Sequence, residues 1–291
     1  MSHSALITVE WAIDILARSS IVHREDYTAR SADKFTLLRR EKIITAAGEV
    51  RQVPIVSGGS FRGVLRRIGE ELTAEVLNYE DTALPVPAAH LLTNGGRLAK
   101  SAKPLTDEQE RRLKALIPLI AVFGGNASGR IMSGLLTVGK VNPEVAELAH
   151  ILERPPHHTP LPVIRTLAAE SFTHLSDHRT TSHAAPHTDD DEDTSPLGRF
   201  SGETFSAGTR LQTYARIANA TDQQVAFLRD VLRRFAEDGH LGGRVAAGHG
   251  RITATLTPRV KRGQLPDDTV DWAAELAENR DEALDALSEI T

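Results

Sequence analysis

A short turn rich in glycine and arginine carries the clearest chemistry in the sequence. Its candidate contact residues are Ser57, Gly58, Gly59, Ser60, Arg62, Gly63, Arg66 and Arg67. Glycines let a backbone approach a ligand closely, and a helix N-terminus presents unpaired N–H groups and partial positive charge, which favour phosphate. Arg62 and Arg66 are four residues apart and fall on one side of a helix. The turn predicts an anion-binding site, with a plain glycine turn and solvated arginines as the alternative.

The common phosphate-binding motifs do not account for this turn. No Gly-Lys-Ser/Thr follows at P-loop spacing, and the Gly-x-Gly-x-x-Gly dinucleotide fingerprint is absent. The sequence also lacks the Gly-x-Ser-x-Gly and paired-histidine motifs of hydrolases and metalloproteases. The turn is therefore neither a P-loop nor a dinucleotide-binding motif.

A second loop, residues 242–251, repeats the same chemistry. It places Arg244, His249 and Arg251 among four glycines. We expect the binding surface to include these three residues, together with Arg24 and Arg39 of the basic N-terminal stretch and Arg130 after a glycine-rich turn. Whether the two glycine loops meet depends on how the fold packs, and a bland turn is again the alternative.

Histidines and aspartates offer two further kinds of site. His174, His178, His183 and His187 are spaced by four, five and four residues, but the surrounding segment is polar and contains no cysteine, so a mobile loop or protruding hairpin is expected there and no metal site. Asp26 and Asp33 follow the first predicted strand; a carboxylate beside bound RNA can assist cleavage, although solvated aspartates are more common. Aromatic residues make up only 4% of the chain, which argues against base stacking.

Charge is unevenly distributed along the 291 residues. The net charge is -5, but the tail at 264–291 carries nine acidic residues against one arginine, and the run at 189–193 adds five more. Removing both segments from the net charge of -5 leaves +8 on the rest, and residues 18–67 hold eleven basic against five acidic residues. Segregated basic charge is compatible with a polyanionic partner.

The bulk composition is that of an ordinary globular protein, 40% hydrophobic and 25% charged. The absence of cysteine excludes disulfides and thiolate metal sites. No apolar run approaches the roughly 20 residues of a membrane helix, and no signal peptide is recognisable. We expect a cytoplasmic protein with no cofactor and no membrane partner.

Hydrophobic periodicity predicts the elements that position these residues. Ser60 is the expected N-cap of the first helix, and Thr106–Gln109 and Thr221–Gln224 fit capping boxes. The predicted elements are strands at 5–15, 35–56 (two short ones), 130–138, 209–217 and 251–257, and helices from 61, from 106, at 142–153, at 221–237 and at 269–289. Without insertions the order is strand, helix, strand, strand, helix, strand, which is the α+β, ferredoxin-like or RRM-like order of an antiparallel sheet with two helices.

Four segments carry a family resemblance when taken in order. They are Pro54 to Arg66, Val122-Phe123-Gly124-Gly125 with Gly129-Arg130-Ile131, Glu203 to Thr209, and Gly242 to Arg251. They resemble the RAMP superfamily of CRISPR proteins, with its glycine-rich turn into an arginine-bearing helix, its Phe-Gly turn, its Glu-x-x-x-x-Gly-Thr strand entry and its terminal glycine-rich loop. The resemblance spans about residues 50–255.

Within that family the chain is most similar to the backbone subunit of class 1 effector complexes, of type IV in particular. The resemblance implies one hand-like domain over 1–291, with a palm, a finger-like insertion at 78–128, a polar thumb hairpin at 174–203 and an acidic C-terminal helix at 264–291. It implies copies stacked head to tail along guide RNA in a filament, with other CRISPR subunits and a complementary target nucleic acid as partners. A ribonuclease using Asp26 or Asp33, and a protein-binding module without RNA, remain alternatives.

Overall fold

The structure is a computed structural model of the chain and describes residues 6–24, 35–79, 84–96, 104–175 and 197–290. The strands are β1 (Ile7–Ala17), β2 (Phe35–Thr36), β3 (Arg40–Ile44), β4 (Val50–Pro54), β5 (Gly125–Ala127), β6 (Arg130–Met132), β7 (Leu136–Val138), β8 (Asn142–Pro143), β9 (Leu167–Leu175), β10 (Leu197–Phe205), β11 (Arg210–Ala220) and β12 (Ile252–Arg262). The helices are α1 (Gly58–Leu77), α2 (Val86–Asn94), α3 (Asp107–Leu116), α4 (Pro118–Phe123), α5 (Asp222–Asp238), α6 (Trp272–Glu278) and α7 (Arg280–Ser288).

The central sheet has the order β12-β1-β11-β7, with β8 also paired to β11, and its pairings are antiparallel. Alternation along β1 buries Val9, Trp11, Ile13 and Ile15 in one core, where α1 and α5 pack. The chain order β1, α1, β7–β8, β11, α5, β12 is ferredoxin-like with insertions. The predicted α+β fold class is confirmed.

Helix α1 begins three residues earlier than the sequence indicated. Ser57, not Ser60, is the N-cap: Ser57 is extended, and its side chain accepts the N–H of Ser60 at 3.2 Å. The predicted N-cap was wrong because both serines can cap a helix, and the two intervening glycines tolerate helical geometry as well as a turn. The apolar face, with Phe61, Val64 and Leu65 buried, is as predicted.

The predicted strand at 130–138 is divided between two sheets. Its first part, β6, pairs with β5, whereas β7 joins the central sheet. Gly134 lies at the division, where a Cβ would come within 2.5 Å of the Val122 carbonyl oxygen. Close backbone contact with the end of α4 therefore interrupts the strand.

The predicted helix at 142–153 is wrong. Asn142 and Pro143 form β8, and the following residues make an irregular turn with N–H to carbonyl bonds of the i to i+3 kind, such as Leu148 to Val145 at 3.1 Å. Val145 also bridges to Leu161. The apolar residues Val145 and Leu148 have helical spacing, but they are buried against the β3–β4 hairpin in a small separate core.

Both predicted capping boxes are confirmed, at Thr106–Gln109 for α3 and at Thr221–Gln224 for α5.

The segment 78–128, expected to be finger-like, holds α2, α3, α4 and β5. Strands β9 and β10 pair from Leu167↔Phe205 to Leu175↔Leu197, so both ends of the expected thumb segment at 174–203 lie in this strand pair. Residues 176–196 lie outside the described residues.

The C-terminal acidic segment forms two short helices where one was expected, because the backbone departs from helical geometry at Asn279. Trp272 anchors the segment: its ring meets Phe227 edge-on at 4.9 Å, and its indole N–H donates to Asp230 at 2.8 Å.

Within the described part of the chain, no helix combines the length and the apolar character that crossing a bilayer requires.

Candidate nucleic-acid interface

The start of α1 presents backbone to solvent as the sequence suggested. Gly59, Gly63 and Arg67 are exposed, and a Cβ added at either glycine would meet nothing within 4 Å. Ser60 lines the same groove, of about 510 Å³, together with Thr93 and residues of the α2 C-terminus. Gly58 instead packs against the Gly139 carbonyl, which lies 3.2 Å from where a Cβ would be. The first turn of α1 is thus open on one side and packed on the other.

The structure corrects the role predicted for Arg66. This side chain is only 7% exposed, and its guanidinium donates to the carbonyls of Leu91 at 3.0 Å, Phe123 at 2.8 Å and Gly124 at 2.7 Å. These carbonyls end or follow α2 and α4, where helices leave acceptors unpaired. Arg66 therefore joins three helices beneath the groove instead of reaching a ligand in solvent.

Arg62 has a similar role. Its guanidinium donates to the Leu136 carbonyl at 2.6 Å and the Phe123 carbonyl at 2.9 Å, and it lies 5.6 Å from the centre of the Phe123 ring. Burial lowers the pKa of Arg62, and burial with the neighbouring Arg62 charge lowers the pKa of Arg66 to about 10. Both still carry a positive charge at neutral pH, so they lend positive potential to the groove floor.

The loop at 242–250 folds tightly onto the segment that follows β1. Gly243 donates its N–H to the Val22 carbonyl at 2.7 Å, and Gly250 donates to the Ser20 carbonyl at 2.8 Å. Gly250 has φ +81°, and a Cβ there would lie 2.2 Å from the Leu241 carbonyl oxygen. Glycine is required at this position because both the left-handed backbone and the close approach exclude a side chain.

His249 lies inside this contact and not on the surface. It is 9% exposed, its Nδ1 is 2.9 Å from the Ser20 hydroxyl, and the same nitrogen is 3.7 Å from the Glu170 carboxylate. His249 thus positions the loop. Arg251 is exposed, and its backbone carbonyl accepts the N–H groups of Arg18 and Ser19.

Residues 20–24 connect the two glycine-rich segments, which the sequence alone did not establish. Val22 contacts the 242–250 loop, and His23 Nε2 accepts the N–H of Ser57 at 3.2 Å at the start of α1. Burial, and then the charge of Arg39, lower the pKa of His23, which keeps the ring neutral and able to accept. His23 was missed in the sequence, because nothing in its spacing distinguishes it from the other histidines.

Three predicted arginines converge around this connection, and we call Arg24, Arg39 and Arg244 the arginine cluster. Leu38, next to Arg39, bridges to Arg24, and Arg39 donates its backbone N–H to the His23 carbonyl at 2.8 Å. Burial, and then the charge of Arg24, lower the pKa of Arg244. The positive charges of Arg24 and Arg244 therefore lie close enough together for the first to act on the second. Arg39 is exposed, with no carboxylate partner among the described residues.

Arg130 does not join the cluster. Its guanidinium is bound to Asp107 at 2.7 Å and to Glu110 at 2.5 Å, and these two carboxylates raise its pKa. It also donates to the Leu105 carbonyl at 3.2 Å. Arg130 therefore fixes α3 to β6, and its charge is already neutralised. Asp26 and Asp33, the aspartates of the ribonuclease hypothesis, lie outside the described residues.

One group of described residues has the composition of a metal site, on the other face of the sheet. Asp14, Glu144 and His157 have ligand atoms within 4.8 Å of one another. The Arg154 guanidinium, however, bonds the Asp14 carboxylate at 2.8 Å, and Glu144 binds the His157 ring nitrogen at 2.8 Å. The group is thus already paired internally.

Comparisons with known proteins identify the family of the chain. The family model of the RAMP superfamily matches residues 28–253. The chain belongs to the RAMP superfamily. A chain of a solved "Type IV-B CRISPR Complex" is 53% identical to this RAMP protein, covering 92% of this chain and 99% of that one, with a TM-score of 0.62.

A second solved structure, Csc2 of Thermofilum pendens, is 13% identical to this RAMP protein. The match covers 97% of this chain and 75% of that one with a TM-score of 0.43, a likeness too remote to carry an argument. No curated protein matches the chain.

Proposed function

We propose that this RAMP protein is a non-catalytic backbone subunit of a type IV, class 1 CRISPR effector complex that binds guide RNA through its sugar–phosphate backbone. A chain of a Type IV-B CRISPR complex that is 53% identical over 99% of its length supports the assignment to such a complex. In this proposal copies stack head to tail in a filament, alongside other CRISPR subunits and a complementary target nucleic acid. Residues 78–128 form fingers and 174–203 a thumb.

The observation that carries RNA binding is the arginine cluster beside the open first turn of α1. Arg24, Arg39 and Arg244 are brought together from three chain segments, and the exposed glycines of α1 leave room for a backbone to approach. Contacts to phosphates position a polymer without reading its bases. That mode suits a subunit that must bind guides of differing sequence, and the 4% aromatic content gives little basis for stacking.

Charge reversal tests the cluster. Arg24→Glu combined with Arg39→Glu is expected to weaken binding of single-stranded RNA by at least about 100-fold at low salt, because phosphate contacts dominate such affinities. The alanine pair is expected to lower the salt dependence of log affinity by about 0.7 for each phosphate that the protein no longer neutralises. Fluorescence anisotropy with unstructured RNA across a salt series measures both quantities.

The matched control reverses two other exposed arginines, Arg111 in α3 and Arg234 in α5, with the same change in net charge. It is expected to retain most of the RNA affinity. Equal losses in the two variants would mean that net charge alone, and no defined site, binds the RNA.

Incubation of the assembled complex with complementary RNA tests the non-catalytic part of the proposal. The RNA is expected to remain intact over the whole time course. Cleavage that disappears in Asp26→Ala or Asp33→Ala would replace the scaffold with the ribonuclease alternative.

A further inference from the structure

The face of the central sheet turned away from α1 and α5 carries exposed cations at one end. In the sheet register, Glu10 of β1 lies between Arg216 of β11 and Arg259 of β12. Lys261 reaches the same carboxylate, with its Nζ 3.6 Å from Glu10 Oε1. Arg216, Arg259 and Lys261 are all exposed. We call these three cations around Glu10 the basic face.

The other end of this sheet face is covered by the chain itself. Residues 144–162 cross it as a strap, held by Arg154, which donates to the Asp14 carboxylate at 3.0 and 2.8 Å and to the Ile13 carbonyl at 2.9 Å. The Gln212 side chain accepts the backbone N–H of Arg154 at 3.0 Å. The basic face lies beside this strap, and Glu153 of the strap is close enough for the charges of Glu10, Arg259 and Lys261 to act on it.

An acidic surface lies on the opposite side of the molecule. Helix α6 packs against α1 and α5, and α7 packs against α1 and α3, so both lie on the helical side of the sheet. Trp272, Leu276 and Leu287 point inward and are buried. Glu275, Glu278 and Asp285 are exposed, with no ion pair to any described residue. We call these three carboxylates the acidic face.

We infer that the basic face is a docking surface for the acidic face of a second copy of this chain. The two faces are complementary in charge and lie on opposite sides of one molecule, so each copy can present one face to the copy before it and the other to the copy after it. Such a contact is heterologous and repeats without closing when the rotation does not bring the ends together. The inference rests on the proposed stacking and names the surfaces that carry it.

Two features favour the docking of a protein face over the addition of a β-strand or the binding of a nucleic acid. Pro258 lies in the edge strand β12 and has no N–H, which disfavours the addition of a further strand at that edge. Glu10 lies among the cations, and Glu153 lies close enough for burial and the Glu10 charge to raise its pKa. Carboxylates there repel a continuous phosphate backbone, whereas separate carboxylates of a protein surface can each approach one cation.

The test reverses each face separately. A front variant carries Arg259→Glu and Lys261→Glu; a back variant carries Glu275→Lys, Glu278→Lys and Asp285→Lys. Each alone is expected to shorten the assemblies seen by sedimentation velocity at low ionic strength, because its altered face repels the unaltered face of the next copy. The control, Arg111→Glu with Arg234→Glu, is expected to sediment like the wild type.

Mixing the two variants tests the pairing of the faces directly, once circular dichroism shows that each variant alone keeps the fold of the wild type. The front variant has two acidic faces and the back variant two basic ones, so each repels itself but attracts the other on both sides. An equimolar mixture is expected to recover assemblies of wild-type size. Recovery also shows that both variants are folded, and added salt is expected to disperse the recovered assemblies.

Failure to recover in the mixture would overturn the inference, as would wild-type assembly by either single variant. RNA is measured separately, by the absorbance ratio of each preparation. Loss of RNA from the front variant alone, without rescue by the back variant, would identify the basic face as a nucleic-acid surface and overturn the inference. If the wild type carries no nucleic acid, that result counts against the proposed RNA binding and not against the docking surfaces. The mixing experiment measures only the assembly of the protein.

Discussion

Two groups of arginines around the start of α1 were both predicted to bind RNA but have different structural roles. Arg62 and Arg66 are bound to backbone carbonyls of α2, α4 and β7 beneath the helix. Arg39 is exposed beside the helix start, and the half-buried Arg24 lies between it and Arg244. A guanidinium offers five donors in a planar fork, which suits several carbonyls as well as a phosphate. Carbonyls at helix ends thus engage the guanidinium groups of Arg62 and Arg66, whereas Arg39 stays exposed.

The largest effect is expected at the buried group. Arg66→Ala leaves the carbonyls of Leu91, Phe123 and Gly124 without their shared donor. We expect the free energy of unfolding to fall by about 3 kcal/mol, because hydrogen bonds to a charged group are strong and the carbonyls remain buried. Urea denaturation followed by circular dichroism measures the change.

Arg39, which is exposed, provides the comparison with the buried Arg66. Arg39→Ala is expected to change the free energy of unfolding by less than about 0.5 kcal/mol, as surface substitutions do, while it weakens RNA binding. Equal stability losses at Arg66 and Arg39 would remove the distinction between the two groups.

Substitution of glycines in the loop that contains Arg244 is expected to lower stability by less than Arg66→Ala does. Gly250→Ala combines a left-handed φ of +81° with overlap against the Leu241 carbonyl, whereas Gly248→Ala, at φ +87°, meets nothing within 4 Å. We expect losses of about 2 kcal/mol or more for the first and about 1 kcal/mol for the second. Only Gly250→Ala is expected to lower RNA affinity as well; identical behaviour would show that the close packing of the loop does not matter for the site.

The sequence predicted those parts that depend on local signals. Alternation of apolar and polar residues located β1 and β11, and the capping boxes follow from residue types three apart. The roles of Arg62, Arg66 and Arg130 were not predictable, because their partners lie 20 to 74 residues away along the chain. The contact of residues 20–24 with both glycine-rich segments likewise depends on packing, so the arginine cluster became visible only in three dimensions.

The smallest effect concerns His23, which accepts the Ser57 N–H only while its ring is neutral. Its pKa is lowered in the folded protein from an ordinary value of about 6.5, so the unfolded chain binds the proton more readily. Its contribution to stability is therefore fully present above about pH 6.5 and declines as the pH falls toward the folded pKa.

Denaturation curves between about pH 5 and 8 measure this contribution, with His23→Gln as the comparison, since its amide oxygen accepts at every pH. We expect the wild type to lose more stability on acidification than the variant. Parallel pH profiles would mean that protonation of His23 does not disturb the start of α1.

The nucleic-acid content of the protein purified at low ionic strength tests the central claim most directly. The absorbance ratio at 260 and 280 nm, followed by ribonuclease and deoxyribonuclease digestion, identifies what is bound. We predict that the wild type carries RNA of mixed sequence and that Arg24→Glu with Arg39→Glu carries little. A wild-type protein free of nucleic acid, or a double variant that retains as much RNA as the wild type, would contradict this account.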